Sequence, residues 1–81
     1  MGVVREPREL TVARAALARA SKAHGGDDTH PDIVAARSAY ALEQCRAQLA
    51  SIVDRADDLA RQDAQTLARE LREVAKDIRA R

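Results

Sequence analysis

The chain has 81 residues, with 14 basic and 13 acidic side chains and a formal net charge of +1. So balanced a charge gives no long-range field of one sign to attract nucleic acid or anionic lipid, and no apolar run approaches the roughly 20 residues that a membrane-spanning helix needs. A domain this small buries only about 60% of its unfolded surface, so a lone copy is marginal and association is favoured.

Of the 46% hydrophobic residues, 18 are alanines; there is one tyrosine and no phenylalanine or tryptophan. Alanine has the highest helix propensity and lets helix axes approach closely, so packed helices are favoured over strands. A single cysteine, Cys45, cannot form an intrachain disulfide. With no secretory signal pattern, a cytoplasmic protein without a membrane anchor is expected.

The first helix is expected over about residues 7–24. Pro7 suits an early helical position, and Glu6 and Glu9 complement the positive end of the dipole. Leu10, Ala13, Leu17 and Ala20 recur at helical spacing, and Gly25-Gly26 can adopt the left-handed conformation that closes a helix. Thr29, with Asp32 three residues on, has the form of a capping box, so a second helix is expected from about residue 30. Its start is apolar on two sides, Ile33, Ala36 and Tyr40 on one and Val34, Ala41 and Leu42 on the other, as for an element with more than one neighbour. Tyr40 is expected to plug the space between the two helices.

From Asp32 to Arg81 there is neither glycine nor proline. One apolar register runs through Leu42, Cys45, Leu49, Ile52, Ala56 and Leu59, and an offset one through Ala60, Ala64, Leu67, Leu71, Val74 and Ile78. Each stripe needs cover. A single helix from Asp32 to Ala80 would measure about 75 Å, three times the first helix. The phase change has two readings: a helix break at Asp57-Asp58, whose side chains could cap a third helix, or a four-residue stutter in one continuous helix. The fold class expected is all-α, a single domain in which a helical hairpin is followed by a long second helix or a third helix, with coiled-coil-like packing.

The run Pro31-Asp32-Ile33-Val34-Ala35-Ala36-Arg37, followed by Val53-Asp54 and by Leu67-Ala68 with Leu71-Arg72, resembles a widespread type of small Ala/Arg-rich helical protein of actinobacteria and their phages or mobile elements. The resemblance spans about residues 11–72 and brings no assigned activity. Such proteins usually show Pro-Pro and then Leu-Thr where this chain has Asp57-Asp58-Leu59-Ala60, which implies a helix break there in the relatives. Residues 73–81 extend beyond the resemblance.

No catalytic constellation stands out. His24, Asp27, Asp28, His30 and Asp32 share one loop, but their spacing matches neither a closed zinc site nor a calcium loop, so a solvated, capped turn is expected and no metal. Cys45 lies on the apolar register without a histidine at helical spacing to serve as its base, and a core thiol is expected. No cofactor is expected. The leading reading is a non-enzymatic helical protein–protein interaction module, a homo-oligomer or a partner of another protein. Leu59, Leu67, Leu71, Val74 and Ile78 would be its apolar contacts, and Arg69, Arg72, Glu73 and Lys76 its partner-selecting charges. Pairs four apart, Asp57–Arg61, Arg69–Glu73 and Asp77–Arg81, would support the exposed helix. The alternative is a nucleic-acid-associated regulator of a phage or mobile element that uses the first helix, where residues 1–24 carry a net charge of +3. The balanced total charge and the lack of stacking aromatics stand against it.

Overall fold

The computed structural model describes residues 8–81. They form three α-helices and no strand: α1 (Arg8–Ala23), α2 (Pro31–Ala56) and α3 (Arg61–Arg79). The all-α fold with a helical hairpin is therefore as expected. The proposed role of Pro7 lies outside the described residues. The chain divides into two units, residues 1–50 and 51–81, with the boundary inside α2.

In the first unit, α1 packs against α2 along a face where small residues dominate. Leu10, Ala13, Ala16, Leu17 and Ala20 of α1 are half-buried, and on α2 Ala36, Tyr40, Glu43 and Ala47 are half-buried around Ile33. Ile33, at 2% exposure, is the one fully buried side chain among the described residues, contributing about 1.5–3 kcal/mol of burial. Of the two apolar sides at the start of α2, only the Ile33, Ala36 and Tyr40 side is covered; Val34, Ala41 and Leu42 are exposed. The expected burial of Leu42, Cys45 and Leu49 is corrected here, since all three are exposed. A helix buries one stripe against one neighbour, and α1 takes the face nearly half a turn away.

The α1–α2 turn is specified by backbone and side chains together. Gly25 and Gly26 have φ of 63° and 75°, and the Gly26 N–H donates to the Ser21 carbonyl at 2.8 Å, the six-to-one bond of a Schellman closure. Asp27 Oδ1 then accepts from both the N–H and the hydroxyl of Thr29, at 3.0 and 2.7 Å. The Thr29/Asp32 capping box does not form. Instead His30 caps α2, its Nδ1 accepting from the Asp32 N–H at 3.1 Å while its carbonyl receives the first helical bond from Val34.

In the second unit the helix break is real. The N–H groups of Asp58 and Leu59 donate to the carbonyls of Arg55 and Ala56, three residues back, and tighten the end of α2. Two adjacent carboxylates are unfavourable at the negative end of a helix dipole and aspartate is a poor helix former, so the chain stops here without proline or glycine. The expectation that Asp57 or Asp58 caps the next helix is corrected: Ala60, in extended conformation, is the N-cap residue and has no side-chain hydrogen bond. The first turn of α3 gains Asp63 at its positive end.

Candidate functional site

Helix α3 has the cleanest two-faced pattern in the molecule. Ala64, Leu67, Leu71, Val74 and Ile78 follow one another at spacings of three and four, which places them on one stripe. At its start the stripe faces the end of α2, where Ile52, Ala56, Ala64, Leu67 and Leu71 are half-buried about a shallow apolar depression also lined by Val53, Leu59 and Ala68. Further along, the cover ends. Val74 is 52% and Ile78 63% exposed. Of the five apolar residues singled out from the sequence, Leu59, Leu67 and Leu71 thus line one depression, while Val74 and Ile78 continue the stripe into solvent.

The charged residues singled out with them sit elsewhere. At 100° per residue, Arg69, Arg72, Glu73 and Lys76 lie roughly 120–180° around the helix from the centre of the stripe. All four are exposed, on the face turned away from it. The charges that border the stripe, at roughly 60–100°, are Asp63, Glu70 and Asp77 on one side and Arg61 and Arg79 on the other, where Ala68 and Ala75 lie closer to it. The signal for this border was the same periodicity that revealed the stripe. Of the three anticipated pairs, Asp77–Arg81 closes at 3.0 Å; exposed pairs of this kind contribute under about 1 kcal/mol.

A second cluster lies in the α1–α2 turn. Of the five polar residues that share this loop, the fold separates two: Asp27 is engaged by Thr29, and Asp28 accepts from Arg37 at 2.9 Å. The other three converge. His24 Nε2 lies 3.0 Å from Asp32 Oδ2, His30 Nδ1 lies 4.0 Å from the same oxygen, and the two imidazoles stack with centroids 3.5 Å apart. Asp27 differs from its neighbours electrostatically: the hydroxyl and then the N–H of Thr29, with the nearby imidazoles adding less, hold its carboxyl below the ordinary carboxylate value.

Cys45 is exposed on α2, not in the core as expected. No helix among the described residues is long and apolar enough to cross a membrane. Comparison with family models, with curated proteins and with solved structures finds no match to this chain.

Proposed function

We propose that this is a non-enzymatic helical interaction module that associates with a second copy of itself through the α3 stripe. The observation that carries the reading is the continuation of that stripe past its cover, through Val74 and Ile78, in a protein with one fully buried side chain among its described residues. Apolar side chains left in water at regular coiled-coil spacing gain about 25 cal/mol for each Å² that a partner helix covers. Because the acidic border lies on one side and alanines on the other, a parallel pair of α3 helices sets Glu70 and Asp77 beside Ala68 and Ala75 of the other copy. An antiparallel pair would set acid against acid.

Sedimentation equilibrium over a range of concentrations tests the proposal. The wild-type chain should be a concentration-dependent oligomer, and Ile78→Asp should be monomeric with no loss of helix beyond the last turn of α3, because that side chain is already mostly exposed in the single chain. Arg69→Ala, on the opposite face, should leave association intact. Removal of residues 73–81 should weaken association through loss of apolar area. A wild-type chain that stays monomeric, or that binds duplex DNA with steep salt dependence, would overturn the reading; association unaffected by Ile78→Asp would move it to another surface.

A further inference from the structure

We propose that the α1–α2 turn is a binding site for one divalent first-row transition ion of the zinc type, held by His24, His30 and Asp32. The proposal is independent of the association of α3. One ligand atom from each residue lies within 4.8 Å of the others. The ligand atoms of a tetrahedral site with bonds near 2.0–2.1 Å are about 3.3 Å apart. The observed separations, 3.0 Å from His24 Nε2 to Asp32 Oδ2 and 4.0 Å from His30 Nδ1 to the same oxygen, bracket that value.

The residues come from two elements. His24 follows the end of α1 beside the glycines that close it, and His30 and Asp32 open α2, so the same closure that forms the hairpin assembles the donors. Two imidazoles and one carboxylate suit zinc, cobalt, nickel or copper, and are poor for magnesium or calcium, which take oxygen ligands. Three protein ligands leave a position for water.

Binding asks for three local changes. The Nδ1 lone pair of His30, which now accepts the Asp32 N–H as the cap of α2, would have to pass to the ion and leave that N–H to water. His24 now shares a proton with Asp32 across their 3.0 Å contact; the neutral ring would carry that proton on Nδ1 instead, freeing the Nε2 lone pair. The stacked rings, 16° from parallel, would have to turn so that their lone pairs converge. Both rings are about one-third exposed, which leaves room for that rotation. The ion would then tie the end of α1 to the start of α2.

Calorimetric titration of the untagged full chain with zinc at pH 7.5 tests the site, with cobalt as a spectroscopic substitute. One ion per chain is expected, with visible cobalt absorption of a low-coordinate site and a rise in Tm on zinc addition. His24→Ala and His30→Asn should each weaken binding about tenfold or more and remove the Tm rise; asparagine retains a capping acceptor at the start of α2, so helicity should persist. Cys45→Ser should bind as the wild type, and calcium should not bind. Absence of zinc binding by the wild-type chain would overturn the proposal, as would binding that survives loss of both imidazoles or depends on Cys45.

Discussion

The two turns of this protein are built in opposite ways. Between α1 and α2, two glycines at positive φ, an aspartate bonded to Thr29 and a histidine cap determine the path of the chain. Between α2 and α3 there is no glycine and no side-chain cap, and backbone bonds alone tighten the end of α2. The apolar faces differ in parallel. The hairpin places Ile33 wholly out of water, whereas α3 buries no side chain fully and leaves Val74 and Ile78 open. Local specification and burial therefore coincide in the first unit, and the second carries its apolar surface outward.

The contrast is broken most severely at Ile33. Ile33→Ala should cost about 2–5 kcal/mol in urea denaturation, while Ile78→Ala at concentrations too low for association should cost under about 0.5 kcal/mol, as for an exposed surface position. Equal losses would mean that α3 is covered in the single chain. Gly25→Ala should come next, lowering hairpin stability by about 1 kcal/mol or slightly more, because an L side chain is strained at φ of 63°; a smaller loss would show that the turn relaxes into another conformation.

Adding the missing cap should narrow the difference between the turns. Ala60→Ser should stabilise α3 by about 0.5–1 kcal/mol, since the extended conformation at that position suits an N-cap. Slower hydrogen exchange of amides in the first turn of α3, with no change in α1, is the expected reading. The smallest effect concerns acid. The folded-state pKa of Asp27 is depressed, so its contribution is present above the unfolded value and is lost as pH falls through the folded one, below about pH 4. In Asp27→Ala that part of the acid sensitivity should disappear, as a pH series of thermal melts would reveal.

Much of this architecture was legible beforehand because it rests on local signals. Alanine and glycine placement marked α1, and three-four spacing marked the stripe of α3. The capping pattern misled: Thr29 and Asp32 have the right spacing for a reciprocal box, but Asp27 engages Thr29 and His30 takes the cap. Such competition between neighbouring acceptors depends on turn geometry rather than on residue order. The charged border of α3 was legible and was misassigned, since Arg69, Arg72, Glu73 and Lys76 are near the stripe in sequence but lie around the helix from it.

By itself the sequence determined the helical class, the α1–α2 closure and the positions of the apolar stripes, because each follows from backbone preference and periodicity within a few residues. The tertiary structure decided the rest. It chose the break at residues 57–60 over a continuous helix, the Ile33 face of α2 over its Leu42 face as the one that α1 covers, and His24, His30 and Asp32 over their acidic neighbours as the trio that converges. The physical reasons differ: packing against α1 selects the Ile33 face, adjacent carboxylates at the negative end of the α2 dipole favour the break, and the bonds of Asp27 with Thr29 and of Asp28 with Arg37 leave the other three to converge.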